Sequence, residues 1–270
     1  MRIVALLAVH NERRFIGACL EHLGRQGVDT YLIDNCSTDG TAEIAQHFTG
    51  RGLIGYESFP REGGVYRWRA LLERKEQLAR ELDADWFIHL DADEVRLPPA
   101  GFRTLADALE HVDRRGANAV DFKEFTFVPT REEPDHDHPG YADTLRTYYP
   151  FQPIPLHRLN AWRRTDDAEL AWSGGHRVRF DGLRVWPTPF TMRHYLFLSV
   201  PHAVEKYAER HFDAEELAAG WHGWRARVTA EATARLPSRE DMRVASDDTP
   251  LDPTNPLRSH LVEDLWTPAG

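Results

Sequence analysis

Apolar residues near the start of the chain alternate between continuous runs and helical spacing. Residues 3–9 form an unbroken apolar run, which is typical of a central parallel strand covered on both faces. The segment that follows carries apolar side chains three or four residues apart, which predicts an amphipathic helix: Phe15, Ile16, Cys19, Leu20 and Leu23. Gly24 and Gly27 end this helix, and residues 28–34 are typical of a second strand. The pattern predicts a βαβ unit.

The alternation of strand and helix patterns continues to residue 90. Residues 42–48 predict a helix that begins after the turn and capping residues of NCSTDGT, and residues 53–58 predict a weaker strand. Residues 68–82 predict a longer helix, and residues 85–90 predict the next strand.

The second half of the chain changes character. An Asp181-Gly182 turn between two strand-like runs predicts a hairpin. The tail from Pro237 has little periodicity, so we expect it to wrap the surface or to be partly disordered. The other predicted elements are an edge strand at 118–128, an exposed loop at 130–143, a strand at 191–199 and a helical segment from Pro201 to about residue 235.

The composition narrows the classes of partner. A formal net charge of −10 disfavours non-specific nucleic-acid binding, because phosphate contact needs a basic surface. Two cysteines, Cys19 and Cys36, are too few for a disulfide scaffold and suit a reducing compartment, so we expect a cytoplasmic protein. The first apolar run is too short to span a bilayer and lacks a signal-peptide cleavage pattern. We therefore expect no integral membrane contact.

Three carboxylates directly follow an apolar run in the stretch WFIHLDADEV, residues 86–95. Asp91, Asp93 and Glu94 lie at the carboxyl end of the predicted strand, where Asp and Glu are disfavoured and costly to bury. A bound cation would offset their charge. Ligands of open α/β sheets bind outside the carboxyl ends of the strands, so the residues after the other predicted strands converge there too.

Three motifs follow successive predicted strands: LAVHNE at 7–12, IDNCSTDGT at 33–41 and HLDADE at 89–94. With these motifs in this order, the chain resembles family 2 glycosyltransferases of the GT-A fold. The resemblance spans roughly residues 1–96, and a weaker one lies near RHYLFLS at 193–199. It implies an α/β fold with a mixed, mostly parallel sheet flanked by helices and a C-terminal helical segment.

The resemblance also implies a domain organisation. One glycosyltransferase domain is expected over residues 1–236, with a nucleotide-sugar-binding half at 1–96 and an acceptor half at 97–236. An extended tail is expected at 237–270.

For the metal, the resemblance implies that Asp91 and Asp93 form a D-x-D motif holding Mn²⁺ or Mg²⁺ against the donor diphosphate. The alternative is a solvated turn with an Asp cap before Pro98. His194 resembles a third metal ligand, and a structural histidine is the alternative.

For the nucleotide, His10 resembles the position that lies against the base, and Asp34 or Asn35 the position that accepts from base or ribose. Many relatives have Asp where this chain has Asn35, so the base stays open. The alternatives are that Asn35 only makes a turn and His10 only caps a helix. The residues expected to contact the nucleotide are Ala8, His10, Glu12, Asp34, Asn35, Arg69, Asp91, Ala92 and Lys206.

Two of those nucleotide contacts are chosen from groups of basic residues. Arg69 is one of three arginines near the helix before the acidic strand, with Arg67 and Arg74, and spacing does not choose among them. Lys206 lies one helical turn from Arg210, so both could meet the diphosphate; a solvated helix face is the alternative.

An inverting transfer needs a carboxylate that deprotonates the acceptor hydroxyl. Asp167 is favoured because it precedes the Gly-rich stretch AWSGGHRV, and Glu124 is retained beside it. An exposed loop acid is the alternative for Asp167. The candidates are Glu124, Asp166, Asp167, Glu169 and Asp181.

The acceptor half contains two further features that could bind a ligand. Trp162, Trp172 and Trp186 could stack on sugar rings, although core packing accounts for most tryptophans. The DHDH stretch at 135–138 could bind zinc, but a solvated loop is favoured.

The sequence thus predicts a metal-dependent glycosyltransferase that moves a sugar from a nucleoside-diphosphate sugar to a hydroxyl of a soluble small-molecule or saccharide acceptor, with inversion. A non-catalytic nucleotide-sugar-binding module is the alternative. A nucleotidyltransferase would need a Gly-rich phosphate loop where this chain has AVHNERR. A haloacid-dehalogenase-like phosphatase would place its Asp-x-Asp pair after the first strand, and here the pair lies at 91–93.

Overall fold

The chain folds into two compact units, which are described separately. The computed structural model describes residues 1–208, 210–230, 233–264 and 266–267. The first unit comprises Met1–Glu62, Trp68–Lys123 and Leu156–Met192, and the second comprises Gly63–Arg67, Glu124–Pro155 and Arg193–Gly270.

The longest strand lies in the first half of the chain, and strands of two to six residues lie in both halves. In chain order they are β1 Ile3–Val9, β2 Asp29–Asp34, β3 Leu53–Ser58, β4 Val65–Tyr66, β5 Trp86–Leu90, β6 Glu94–Leu97, β7 Ala119–Val120, β8 Phe122–Phe127, β9 Thr147–Phe151, β10 Ala161–Arg163, β11 Phe190–Tyr195, β12 His211–Phe212, β13 Thr233–Ala234, β14 Arg243–Val244 and β15 Trp266–Thr267.

The longer helices also lie in the first half. The α-helices are α1 Ile16–Arg25, α2 Thr41–Gln46, α3 Trp68–Glu81, α4 Leu105–Arg114, α5 Tyr141–Thr144, α6 Val200–Tyr207 and α7 Ala214–Ala218. Turns of 3-10 helix lie at Glu62–Gly64, Ala171–Ser173, Gly223–Arg227, Arg239–Asp241 and Leu261–Asp264.

A six-stranded sheet in the order β3-β2-β1-β5-β10-β7 forms the centre of the first unit. Strands β3, β2, β1 and β5 are parallel, and β10 is antiparallel to β5 and β7. Residues Val4 to Leu7 of β1 are fully buried, as expected for a strand covered on both faces. The carboxyl ends of four parallel strands therefore meet at one edge of this sheet.

Amphipathic helices complete the core of the first unit. The apolar face of α1 is buried through Ile16, Cys19, Leu20 and Leu23, in the pattern that the sequence predicts. Helix α4 begins at the N-cap Thr104, whose hydroxyl accepts from Asp107 N at 3.1 Å.

In the second unit, strands β14, β9, β8 and β11 lie side by side in that order. Helix α6 begins at Ser199, whose hydroxyl accepts from His202 N at 3.2 Å. Residues of the tail pack into the core of this unit: Leu257 N donates to Pro150 O, and the His260 ring stacks on Phe151 with 3.6 Å between ring centroids. The tail therefore contributes to the fold.

The predicted strands and helices of residues 3–90 are confirmed, with ends shifted by one or two residues. The strand predicted at 118–128 is interrupted at Asp121, and the strand predicted at 191–199 is Phe190–Tyr195. The loop predicted at 130–143 is largely irregular and ends in α5.

The hairpin predicted around Asp181-Gly182 is wrong. Asp181 N donates to Asp167 Oδ2 at 2.8 Å, and Gly182 O accepts from Asn118 Nδ2 at 2.9 Å. The flanking residues form isolated bridges elsewhere, including Glu169 with Arg179 and Ala119 with Val185. These distant partners take the hydrogen bonds that a hairpin would need.

The long helix predicted from Pro201 to about residue 235 is also wrong. Helix α6 ends at Tyr207, and the side chain of Asp213 caps a new short helix, α7. Gly220 and Gly223, both at positive φ, follow α7. Of the predicted helix, positions 209 and 231–232 lie outside the described residues.

Candidate functional site

His10 and Asn35 lie side by side at the carboxyl ends of β1 and β2. His10 Nδ1 is 2.8 Å from the carbonyl oxygen of Asn35, and Arg61 Nη1 contacts His10 Nε2. A guanidinium only donates hydrogen bonds, so His10 Nε2 accepts and Nδ1 carries the proton that is donated to Asn35. The ends of the first two strands are thereby joined in a fixed ring orientation.

The side chain of Asn35 has an oxygen without a partner. Asn35 is 2% exposed, and its Nδ2 donates to Phe59 O at 3.0 Å, which fixes the orientation of the amide. Within the described part of the chain, Asn35 Oδ1 is buried and has no hydrogen-bond partner. A buried acceptor without a donor is costly, so this oxygen suits a ligand N–H or O–H.

The carboxylate of Asp34, by contrast, already accepts a hydrogen bond from the protein backbone. Ser37 N lies 3.2 Å and 3.4 Å from its two carboxylate oxygens, an arrangement typical of a turn. Burial raises the pKa of Tyr56, and the charge of Asp34 and a hydrogen bond with Asp34 raise this pKa further. Of the two neighbouring candidates for nucleotide contact, Asn35 has the better geometry.

The loops after β1 and β2 are clasped together by hydrogen bonds. Asn11, at φ 56°, accepts from Thr38 N through its Oδ1 at 2.8 Å. Glu12 N donates to Thr41 Oγ1 at 2.8 Å, and Arg13 N donates to Asp39 Oδ2 at 3.1 Å. The polar residues of STDGT therefore hold the loop that carries His10 and Glu12 in place.

The acidic turn after β5 brings Asp91 and Asp93 next to Glu94. Asp93 is 5% exposed and Glu94 is 3% exposed. Asp91 N donates to Glu94 Oε2 at 3.2 Å, and Glu94 N donates to Asp91 O at 3.1 Å, which closes the turn. Burial first, and then the charge of Glu94, raise the pKa of Asp91. The turn concentrates negative charge where a cation would be favourable.

Two arginines that the sequence does not single out balance Glu94. Arg96 Nη2 lies 2.7 Å from Glu94 Oε2, and Arg158 Nη1 lies 3.6 Å from Glu94 Oε1. Because two cations face Glu94, this carboxylate has a structural role. Asp91 and Asp93 are then the acids of the turn that suit a metal ion.

Lys75 is a further residue that sequence reasoning missed. It lies on α3, is fully buried, and its Nζ is 2.9 Å from His89 Nδ1. Burial lowers the pKa of Lys75 to about 8, and the charges of Asp91 and Glu94 oppose that shift. Burial and Lys75 also lower the pKa of His89. The signal was present, because Lys75 occupies an apolar position of the predicted helix.

Asp121 interrupts the strand predicted at 118–128 and is buried. Its Oδ1 accepts from Arg158 N at 3.0 Å, and burial raises its pKa to about 6. The folded protein therefore keeps the proton of Asp121 between about pH 4 and pH 6, where the unfolded chain has lost it.

We expect the Asp121→Asn variant to lack the part of the pH dependence of stability that comes from this proton. Because the folded pKa is raised, Asp121 lowers the free energy of unfolding as pH rises from about 4 to about 6, by about 3 kcal/mol in total. Asparagine keeps the acceptor for Arg158 N and carries no charge. The variant should gain stability relative to the wild type across that window, measured by urea unfolding at several pH values. Asp83→Asn, whose side chain is 99% exposed, is the control; a parallel pH dependence in all three proteins would contradict this assignment.

The acidic turn fits a hard divalent cation by the chemistry of its donors. Carboxylate oxygens suit Mg²⁺ and Mn²⁺, and the buried Asp93 beside the partly buried Asp91 favours a bound positive charge. Across the described ranges, no group of three or more His, Cys, Asp or Glu side chains is arranged to hold a metal by itself. A diphosphate or water would have to supply the other ligands, as is usual for Mg²⁺.

His194 and Glu124 are paired in the second unit. His194 Nδ1 lies 2.7 Å from Glu124 Oε1, which also accepts from Thr126 Oγ1 at 3.1 Å. Both residues are buried, at 3% and 2% exposure. A carboxylate on one ring nitrogen is typical of metal-binding histidines, and it makes Glu124 an orienting group.

The other residues predicted to contact the nucleotide differ in their position and exposure. Ala8 lies in β1 opposite Ile33, and Ala92 is 4% exposed within the acidic turn. Arg69 is exposed on the first turn of α3. Lys206 is buried on α6 with its Nζ 5.9 Å from the centroid of the neighbouring Tyr207 ring.

Asp167, the favoured catalytic base, is exposed. Its carboxylate accepts from the Thr165 hydroxyl and from Asp181 N, and these two bonds lower its pKa. A general base works best with a pKa near the operating pH, so a lowered pKa does not favour Asp167 in that role. The geometry instead gives Asp167 a part in closing its own loop.

The tryptophans and the DHDH stretch have different surroundings. Trp162 is fully buried and packs on Phe87, as its core-packing alternative required, whereas Trp172 is 38% exposed. In the DHDH stretch, His136 Nδ1 and His138 Nε2 both lie 3.0 Å from Thr144 Oγ1. These two histidines are thus joined through one hydroxyl.

The first unit is an α/β structure whose ligand-type side chains meet at the carboxyl edge of parallel strands, as in nucleotide-binding folds. Residues 5–162 match a family model described as glycosyl transferase family 2, which is more than half of the chain. The chain therefore belongs to glycosyl transferase family 2, and the resemblance is confirmed. A mixed α/β fold with a mostly parallel central sheet agrees with the implied GT-A fold.

Solved structures with distant similarity include those of two proteins. TarS of S. aureus is 12% identical, with 73% of this chain and 37% of that chain covered and a TM-score of 0.43. TarS 1-349 in complex with UDP gives 12% identity, coverage of 77% and 63%, and a TM-score of 0.41. Glucosyl-3-phosphoglycerate synthase from Mycobacterium tuberculosis, in complex with Mn²⁺, UDP and glucosyl-3-phosphoglycerate, gives 18%, 46% and 44%, and 0.31.

The chain spans 37% to 63% of the length of these solved chains. A comparison with curated proteins found no match. Among the residues that the structure describes, no helix combines the length and apolar character needed to cross a membrane.

Proposed function

We propose that this protein transfers a sugar from a nucleoside-diphosphate sugar to an acceptor hydroxyl, with metal dependence and inversion at the anomeric carbon. The observation that carries the proposal is the carboxyl edge of the first sheet. Asn35, whose Oδ1 has no partner among the described residues, directly follows β2, and Asp91 and Asp93 directly follow β5 of this sheet. The chain that carries them belongs to glycosyl transferase family 2.

The residues divide the work of holding the donor. Asn35 Oδ1 accepts from an N–H of the base, while His10 and Arg61 fix the neighbouring surface. Asp91 and Asp93 would hold Mn²⁺ or Mg²⁺, which when bound neutralises the diphosphate that leaves. The other residues assigned to the nucleotide are Ala8, Glu12, Asp34, Arg69, Ala92 and Lys206.

The surroundings of His194 support a role for this residue in metal binding. Its Nδ1 is held by Glu124, so a metal would bind Nε2. Glu124 then positions the imidazole. For that reason, Glu124 is not proposed as the base that deprotonates the hydroxyl of the sugar acceptor. Asp167 stays a candidate for that base despite its exposure.

The test is a donor assay with a panel of nucleoside-diphosphate sugars, with and without Mn²⁺. We expect metal-stimulated donor hydrolysis or transfer with one base, and NMR of the anomeric proton should show inversion. Binding of nucleoside diphosphate without any turnover of donor would instead support the non-catalytic binding module.

We expect Asn35→Leu to weaken nucleoside-diphosphate binding about 10- to 100-fold, because it removes a buried acceptor matched to a ligand N–H. Calorimetry with the nucleotide that the wild type prefers would measure this change. Asn35→Asp keeps the acceptor but loses the donor to Phe59 O. If the Asp variant binds as weakly as the Leu variant, the anchor to Phe59 rather than Oδ1 explains the loss.

A further inference from the structure

An exposed tryptophan in the first unit carries two arginines on its ring. The Arg177 guanidinium carbon lies 4.7 Å from the Trp172 ring centroid, and that of Arg179 lies 5.0 Å from it. Trp172 is 38% exposed. We call Trp172, Arg177 and Arg179 the Trp172 patch.

The Trp172 patch has an excess of positive charge. Arg179 is balanced by Glu169, with 2.5 Å between Arg179 Nη2 and Glu169 Oε2. Over the described ranges, no carboxylate forms an ion pair with the Arg177 guanidinium. One guanidinium charge is therefore available to a ligand at this surface.

The loop that carries the patch is fixed by hydrogen bonds. Glu76 Oε1 accepts from Leu170 N at 2.5 Å and from Ala171 N at 2.8 Å, and Ser173 Oγ accepts from Arg177 N at 2.9 Å. Trp68 Nε1 donates to the carbonyl of Gly174, next in the loop, at 2.9 Å. A site held in this way pays little ordering entropy when it binds.

The same loop packs against the strand that leads to the acidic turn. Gly175 has φ 88°, and a Cβ at this position would lie 2.8 Å from His89 Nε2. His89 is on β5, two residues before Asp91. The loop that carries the Trp172 patch therefore approaches β5 closely at Gly175, and β5 ends at Leu90, directly before the acidic turn.

The chemistry of the patch favours an anion over a neutral sugar. Two guanidiniums cover the aromatic ring that a sugar would otherwise stack on. A guanidinium over an aromatic ring still has N–H donors for paired hydrogen bonds to a carboxylate or phosphate. We propose that the Trp172 patch binds an anionic group, phosphate or carboxylate, of the molecule that receives the sugar. This inference rests on the proposed transferase function.

The test follows the Trp172 signal by ¹⁹F NMR in protein labelled with 5-fluorotryptophan, assigned with Trp172→Phe. Inorganic phosphate and glucuronate are titrated at constant ionic strength, with glucose as the neutral probe. We expect both anions to shift the Trp172 signal to saturation and glucose to leave it unchanged. Arg177→Gln should weaken both anions about tenfold, a loss typical of one charge-assisted contact. The control is Arg51→Gln, which changes an exposed arginine in the turn before β3 and should leave anion binding as in the wild type.

Saturating UDP with Mn²⁺, added to the phosphate-loaded protein, separates acceptor from donor. If the patch binds the acceptor, phosphate stays bound and the Trp172 signal keeps its phosphate-shifted position. A return of the Trp172 signal to its position without phosphate would overturn the inference. An equal response to glucose, or full affinity in Arg177→Gln, would also overturn it. If no anion moves the signal while UDP still binds, the anion site is wrong and the proposed function stands. If the anions bind and no nucleotide does, the proposed function fails instead.

Discussion

Asp93→Asn is expected to lower the rate of sugar transfer by roughly 10²- to 10³-fold, the size of effect seen when one charge-stabilising contact to a transition state is removed. Asp93 is 5% exposed, and asparagine has nearly the same shape. The variant should therefore fold normally but bind Mn²⁺ more weakly, since a neutral amide is a poorer ligand for a hard cation. Steady-state assays over a range of Mn²⁺ concentrations would measure both effects.

The matched control for Asp93→Asn is Asp83→Asn. Asp83 lies between α3 and β5, and its side chain is 99% exposed. The control should keep the wild-type rate, Mn²⁺ dependence and melting temperature. Transfer by Asp93→Asn within twofold of the wild type, at every Mn²⁺ concentration, would remove Asp93 from the proposed metal site.

Local patterns explain why the first ninety residues were predictable. The unbroken apolar run of β1 and the helical spacing in α1 each need only neighbouring residues to be recognised. The acids of the turn after β5 were found for the same reason, because they stand directly behind a buried strand. Sequence reasoning succeeded where structure depends on short stretches of chain.

Long-range pairing explains what was missed. Arg158, which faces Glu94, lies 64 positions further along the chain, and no spacing rule connects them. The hairpin at Asp181 failed because Asp167 and Asn118 took its hydrogen bonds. The sequence alone does not decide whether Asp34 or Asn35 contacts the nucleotide. The hydrogen bond from the Asn35 amide to Phe59 O favours Asn35, and only the structure shows this bond.

The acidic turn depends on the same long-range pairing for its stability. Glu94 shares the turn with two other carboxylates, so its own charge must be balanced before a metal or a substrate arrives. Arg96 supplies the closer cation, with its guanidinium 4.3 Å from the Phe122 ring and fully buried. A buried ion pair of this kind adds little net stability compared with an apolar pair, but losing one partner is costly.

We therefore expect Arg96→Met to lower the free energy of unfolding by about 3–5 kcal/mol, because Glu94 would keep a buried charge whose remaining ion-pair partner among the described residues is Arg158, at 3.6 Å. Urea unfolding would measure the loss. Arg114→Met removes an equivalent arginine from an exposed pair with Glu110, and should cost less than about 0.5 kcal/mol. Adding Glu94→Gln to Arg96→Met should recover part of the loss, since residue 94 would then carry no buried charge. Equal losses in Arg96→Met and Arg114→Met would show that the charge of Glu94 is balanced without Arg96.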